Sequence, residues 1–278
     1  MVHTIAVINQ KGGVSKTVTV AHMAFALGMM QRSVLCIDMD PQGNLSGIIG
    51  NLNPGEQPRH TIFDVLDPDT KLPMEEAYLD TRQEYVKLCY GSLKMATLEK
   101  LFTRHMDPSR VLTKALNAEI SRLFDYIVID CPPSLTTITV NSLCAVEHFI
   151  VPIPTGDSLA LDGVEQLDAV VSEVRELNER LNLLGVVFTR HKAQLKIAKL
   201  VVEETEEIFG KENIFQSRIR ENTLIQQAVH SRETIFEYNN NAPGALDYRA
   251  FAKEVIERLP MDLLETECEF DHRRKAEI

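Results

Sequence analysis

Residues 4–17 read Thr-Ile-Ala-Val-Ile-Asn-Gln-Lys-Gly-Gly-Val-Ser-Lys-Thr. The first five are apolar or β-branched and suit one short strand, while 16–30 carries an apolar spacing that suits a helix. Gly12-Gly13 makes the turn between them. A strand, turn and helix in this order aim backbone N–H groups and a helix N-terminus at one point, a ready anion site. Gly12 and Gly13 allow a phosphate to approach the backbone, Lys16 supplies a point charge for β- and γ-phosphate oxygens, and the Thr17 hydroxyl suits Mg²⁺. The full pattern GxxxxGK[ST] is not kept, because Gln10 and Ser15 stand at its two glycine positions. Ser15 retains the backbone N–H but carries a Cβ, so it requires a permissible φ.

Working outward, apolar runs at 33–37, 126–129, 148–153 and 184–188 alternate with helical patterns at 108–122, 158–181, 193–209 and 245–258. Runs that are apolar on both faces suit parallel strands covered by helices on each side, so the expected fold is α/β with a mostly parallel twisted sheet. The stretch 50–85, with Pro54, Pro58, Pro68 and Pro73, reads as loops and short helices. Residues 1–260 are expected to form a single domain. Residues 261–278, with six acidic and three basic residues, read as a flexible acidic tail.

Two more strands end in acids: 33–37 runs into Asp38-Met39-Asp40-Pro41-Gln42-Gly43-Asn44, and 126–129 into Asp130-Cys131-Pro132-Pro133. Ligands of open parallel sheets gather at such strand ends. Asp130, after four apolar residues, is placed to order Mg²⁺, often through water.

The chain has 278 residues, 44% hydrophobic, and a formal net charge of -11, which excludes a disordered or fibrous chain and general attraction to polyanions. A nucleic-acid partner would need a local basic patch. The five cysteines show no CxxC pair or zinc spacing, which reads as a reduced cytosolic protein. The N-terminus lacks the pattern of a secretory leader, and no apolar run has the length of a membrane span.

Taken together, NQKGGVSKT, VLCIDMDPQGNLS, FDYIVIDCPPSL, VPIPTGDSLALDGVEQL and IRENTLIQQAV…IFEYNNNAPGALDY resemble, in order, the ParA/Soj partition ATPases of the deviant Walker A class that also holds MinD. The resemblance spans roughly residues 3 to 258 and implies a P-loop ATPase using ATP and Mg²⁺. By it, Lys11, Gly12, Gly13, Val14, Ser15, Lys16, Thr17 and Val18 form the nucleotide loop, with Asp130 and Arg220 as further nucleotide contacts. Lys11 is the signature lysine that reaches the partner's phosphates in a nucleotide-sandwich homodimer. Asp40 acts on the attacking water, making Lys11, Lys16 and Asp40 the catalytic set. Thr17, Asp38 and Asp130 surround the metal, Asp130 and the prolines that follow it form the second switch, and Asn141 beside it supports that switch. The resemblance further implies nonspecific DNA binding, hydrolysis stimulated by a ParB-like partner, and a cytoplasmic, nucleoid-associated protein.

Residues 188–200 hold Arg190, Lys192, Lys196 and Lys199 without an acid, a local +4. Lys192, Lys196 and Lys199 are spaced for one helical face. With Arg218 and Arg220 they make up the expected DNA contacts, although Glu221 stands where the family often has arginine. The alternative, a MinD-like membrane ATPase, relies on a basic amphipathic C-terminal helix that 261–278 does not show. A metabolic enzyme on the same loop would need a substrate pocket with its own polar cluster, and the sequence shows none. Cys131 reads as an apolar switch residue rather than a cluster ligand. No long N-terminal extension offers a helix-turn-helix, so operator binding is not expected.

Overall fold

A computed structural model describes residues 2–53 and 55–259, so the expected tail and Cys268 lie outside the described residues. Among the described residues eight strands form one sheet: β1 (His3–Val7), β2 (Val34–Asp38), β3 (Tyr78–Asp80), β4 (Val86–Cys89), β5 (Tyr126–Asp130), β6 (His148–Pro154), β7 (Asn182–His191) and β8 (Ile214–Arg220). Their order is β3-β4-β2-β5-β1-β6-β7-β8, parallel except for the β3–β4 pair. The helices are α1 (Lys16–Met29), α2 (Asn44–Ile49), α3 (Ile62–Leu66), α4 (Leu98–Phe102), α5 (Val111–Ala115), α6 (Ala118–Leu123) and α7 (Thr137–Cys144). They continue with α8 (Val164–Leu177), α9 (Lys196–Phe209), α10 (Thr223–His230), α11 (Ile235–Asn239) and α12 (Pro243–Arg258).

Alternation along the central strands explains the two layers. Ile5 and Val7 of β1 and Tyr126 and Val128 of β5 face a core shared with α1, α10, α11 and α12. Ala6, Ile127 and Ile129 face the other core, shared with α5, α7, α8 and α9. Both faces are covered, as a parallel sheet requires. Because β1 lies between β5 and β6, the β1–α1 turn opens at the carboxyl ends of the central strands, beside Asp130 and the end of β6.

Several expectations are refined. The pattern 158–181 becomes a helix only at Val164, since 158–163 are turns and Gly163 caps the helix at φ 88. The stretch 108–122 is broken into a 3₁₀ turn, α5 and α6. Strand β7 runs on to His191, so Lys192 precedes α9 and only Lys196 and Lys199 share a helical face. Asn141 does not support the second switch. Its Oδ1 accepts the N–H groups of Val111 and Leu112, and its amide donates to the carbonyls of Pro108 and Thr137, tying α7 to the 108–112 turn.

Helix α1 is buried on nearly every side, sandwiched between the sheet and α12. Its one imidazole, His22, is fully buried and stacks on Tyr248 with centroids 4.7 Å apart. Nδ1 donates to the Val18 carbonyl (2.7 Å) and Nε2 accepts the Ile235 N–H (2.9 Å), which fixes the neutral tautomer. A proton on Nε2 would face a donor, and burial holds the pKa down to about 4 against the ordinary 6.5. The unfolded chain therefore takes up this proton first as pH falls. The contribution is complete above about pH 6.5 and is lost toward pH 4, a change of about 3 kcal/mol. Asp38, pushed up to about 6 by burial, acts in the opposite sense over the same window. The readout is thus the stability difference between wild type and His22→Gln, expected to shrink by that amount from pH 6.5 to 4 in urea unfolding. A difference independent of pH would contradict the neutral, buried imidazole.

Arg82 fixes the far end of α2. Its Nη2 donates to the carbonyls of Ile48 (2.6 Å) and Arg232 (3.0 Å), its Nη1 to that of Gly50, and its Nε to Glu237 Oε1 (2.6 Å). The last turn of α2 is thereby joined to the α10–α11 connection.

Candidate functional site

The loop 9–17 is held by three hydrogen bonds, one of them internal. Asn9 Nδ2 donates to the Pro152 carbonyl at the end of β6 (2.9 Å), and Asn9 Oδ1 accepts the Lys11 N–H (3.0 Å). On the other side Thr189 Oγ1 donates to the Val14 carbonyl (3.2 Å). Gly13 and Ser15 adopt φ 76 and φ 73. For glycine this is free, whereas for Ser15 the left-handed region costs roughly 1–2 kcal/mol, so the loop is held in this form by its surroundings. A Cβ built at Gly12 or Gly13 would meet nothing within 4 Å, so the space over the loop is open to a ligand.

Lys16 is nearly buried, and its Nζ donates to the Lys11 carbonyl (2.9 Å), leaving further N–H donors on the same ammonium. Burial lowers its pKa, and the carboxylates of Asp130 and Asp40 pull it back up. Asp130 is fully buried, and neither of its oxygens has a hydrogen-bond partner of good geometry. Burial and the neighbouring Asp38 charge push its pKa well up, an effect the adjacent Thr17 hydroxyl offsets only in part. A buried carboxyl with two unused oxygens calls for a proton or a cation.

Asp38 pairs in register with Asp130 across β2 and β5, yet its oxygens are engaged. Oδ2 accepts the Ser46 N–H (2.8 Å) and hydroxyl (2.7 Å), and Oδ1 lies 3.3 Å from the Asp40 N–H. Asp40 Oδ1 accepts the Gln42 N–H (2.9 Å), so the other carboxylate oxygen is left for a ligand or water.

Lys11 points away from the loop to its own chain's surface, where Nζ donates to Asp157 Oδ2 (2.6 Å) and the Leu159 carbonyl (2.8 Å). The bond from Lys11 holds the Asp157 carboxyl below its usual range. Beside the loop lies a cavity of about 300 Å³ lined by Gly13, Ser15, Val18, Arg190, Ile219, Asn222 and Tyr248 among others. Arg220 also lines it, but its guanidinium is committed to Asp247 (2.7 Å from Nη2 to Oδ1). A larger groove of about 840 Å³ between α8 and α9 contains none of these residues.

The expected DNA residues separate into two groups. Arg190 pairs with Glu221 (3.5 Å), as does Lys192, and Arg218 lies over the Phe188 ring and 3.4 Å from His191 Nε2. Lys196 and Lys199 are exposed at the start of α9, with no ion-pair partner among the described residues. Helix α9 carries lysines in its first turns and Glu203, Glu204, Glu206 and Glu207 toward its end. That is the reverse of what the macrodipole favours, at about 0.3–1 kcal/mol per charge.

The site thus brings Lys16, Thr17, Asp38, Asp40 and Asp130 together at adjacent strand ends, whereas the Lys11 ammonium is turned away to Asp157. Sequence reasoning passed over Asp157, Ser46, Gly91 and Asp247. Asp157 alone had a local signal, an acid just beyond a strand end like Asp38 and Asp130. Among the described residues no group of His, Cys, Asp and Glu is arranged to hold a metal by itself, and Cys131 is buried with its thiol pushed up to about 12. No helix among them is long and apolar enough to cross a membrane.

A family model described as "AAA domain" matches residues 2–183. The chromosome partitioning protein ParA of Caulobacter vibrioides is 32% identical, over 91% of this chain and 94% of its own. The chromosome-partitioning ATPase Soj of Thermus thermophilus is 32% identical, over 93% and 97%. Among solved structures, the cobyrinic acid a,c-diamide synthase of Mycobacterium smegmatis with a bound ATP analog and magnesium superposes with a TM-score of 0.79 at 28% identity, covering 93% of this chain and 96% of that one.

Proposed function

Because the chain belongs to the ParA/Soj family of P-loop partitioning ATPases, we propose that it binds Mg-ATP at the 11–18 loop, dimerises around two nucleotides, and holds DNA nonspecifically in that state. Hydrolysis, stimulated by a ParB-like partner, then releases it, so that a plasmid, chromosome origin or other cargo is segregated or positioned. The observation that carries the nucleotide reading is the buried Asp130 carboxyl with both oxygens unpaired beside Lys16 and Thr17. That donor set fits a divalent cation, which would neutralise β- and γ-phosphate charge when bound.

Each residue then has a task. Gly12, Gly13, Val14 and Ser15 offer backbone N–H groups, and Lys16 exchanges its bond to the Lys11 carbonyl for phosphate oxygens. Thr17 and Asp130 hold the metal, with Asp38 behind them because its oxygens are already bonded to Ser46 and Asp40. Val18 and the cavity beside it receive the base. Arg220, locked to Asp247, shapes that cavity. Asp40 orients the attacking water through its unbonded oxygen. Lys11 leaves Asp157 to reach the partner's phosphates, so positive charge arrives at the reacting centre only in the dimer.

The reversed charges of α9 support DNA binding at Lys196 and Lys199, since a phosphate at its start would relieve the unfavourable lysines. Arg218 extends this surface. Arg190 and Lys192 join it only by leaving Glu221. Glu221→Gln is therefore expected to tighten DNA binding about three- to tenfold near 0.1 M salt and to steepen its salt dependence by about one phosphate contact. Fluorescence anisotropy with a labelled duplex checks this, and unchanged affinity and slope would remove Glu221 from the interface.

The reading is tested by ATP hydrolysis and solution mass with ATP and with ADP: a dimer with ATP and a monomer with ADP are expected, and one mass in both would reject the sandwich. The name of the mycobacterial synthase suggests a ligase instead, in which turnover would depend on a small-molecule acceptor rather than on DNA. Liposome sedimentation with ATP separates the membrane alternative, with no sedimentation expected.

A further inference from the structure

We infer that Ser46 is a positioning residue for the metal side of this site: its hydroxyl fixes the Asp38 carboxylate, and with it the loop that carries Asp40. This rests on the nucleotide reading above. The Ser46 hydroxyl donates to Asp38 Oδ2 (2.7 Å) while accepting the Gly91 N–H (2.9 Å), and the Ser46 backbone N–H donates to the same Oδ2 (2.8 Å). One hydroxyl therefore joins β2, α2 and Gly91, two residues after β4, around a carboxylate that is fully buried.

Gly91 closes the other side. A Cβ there would lie 2.9 Å from Asp38 Cγ and 3.1 Å from both Asp38 Oδ2 and the Asp40 carbonyl. The wall and the hydroxyl together leave Asp38 a single orientation. In it, Oδ2 is spent on Ser46 and Oδ1 faces the Asp40 N–H, so Asp38 braces the 39–43 turn while the unpaired oxygens of Asp130 remain for the cation. The brace is rigid because α2 is anchored at its far end by Arg82 through the carbonyls of Ile48 and Gly50.

Removing the hydroxyl leaves a buried carboxylate short of a donor and the Gly91 N–H without its acceptor, which favours reorientation of Asp38. Asp38 then leaves its braced position, and the 39–43 turn that carries Asp40 beside the cation site loses its support. Nucleotide contacts made by the 11–18 loop do not involve Ser46 and should persist.

The test is binding of a fluorescent, nonhydrolysable ATP analogue to the full chain, titrated with Mg²⁺ and repeated without it. For Ser46→Ala, affinity without Mg²⁺ is expected to stay within about twofold of wild type while the Mg²⁺ concentration at half-saturation rises about tenfold, and Ser46→Thr is expected to restore it. Ser46→Cys, nearly isosteric and a weak donor, is expected to show the same shift and serves if the alanine chain does not fold by circular dichroism. Wild-type Mg²⁺ saturation in a folded Ser46→Ala or Ser46→Cys chain would overturn the role of Ser46. A wild-type chain that binds the analogue identically with and without Mg²⁺ would instead overturn the metal-nucleotide reading on which it rests.

Discussion

Replacing Lys11 by alanine is expected to abolish ATP-dependent dimerisation and to lower ATP turnover by about a hundredfold or more, while nucleotide binding to the monomer stays close to normal. The monomer already satisfies its nucleotide loop without the Lys11 side chain, whose ammonium is directed to Asp157 and the Leu159 carbonyl instead. The Asp157 carboxylate is 41% exposed, and pairs of this kind contribute at most about 1 kcal/mol. A phosphate in a water-poor interface offers the ammonium a stronger partner, so the pair does not oppose the transfer. The substitution removes charge from the transition state and, from the monomer's own fold, only this half-exposed pair and the bond to the Leu159 carbonyl. Light scattering with ATP, paired with equilibrium binding of a labelled nucleotide, separates the two effects. A Lys11→Ala chain that still dimerises and turns over ATP would remove the lysine from its assigned place.

Asp40→Ala should give the complementary defect: an ATP dimer that forms normally and persists, with single-turnover hydrolysis slowed about a hundredfold or more. One Asp40 oxygen is bound by the Gln42 N–H, which orients the carboxylate, and the other is unbonded at the mouth of the site. Loss of the side chain removes a water-orienting group but leaves Lys16, Thr17 and Asp130 to hold nucleotide and metal. Hydrolysis at the wild-type rate would contradict this role, and failure to form the dimer would show that Asp40 acts in binding rather than in turnover.

What could be seen in the sequence was local. The β1 strand, the turn and α1 follow one another within 27 residues, and each has its own pattern, so loop and helix were legible together. Asp38 and Asp130 were legible because apolar runs end at them. Elements whose identity depends on neighbours were not. The four-residue β4 and the edge strand β8 acquire strand structure by pairing with β2 and β7. The spacing of Lys192, Lys196 and Lys199 suggested one helical face, but pairing of β7 carries the strand through His191 and leaves Lys192 off the helix. The contact of Ser46 with Gly91 spans 45 residues, and that of Lys11 with Asp157 spans 146, distances at which no periodicity speaks.

The acidic balance of the chain has its place in the proposed cycle. A net charge of -11 lets a monomer with a small basic surface leave DNA readily. Two such surfaces in one ATP dimer act with a raised effective concentration and hold it there. Retention of a nonspecific duplex by the wild-type chain in a mobility shift, compared with ATP, with ADP and without nucleotide, tests this most directly. Retention with ATP alone, falling steeply with salt, is the expected result; equal retention in all three conditions would contradict a nucleotide-controlled DNA switch.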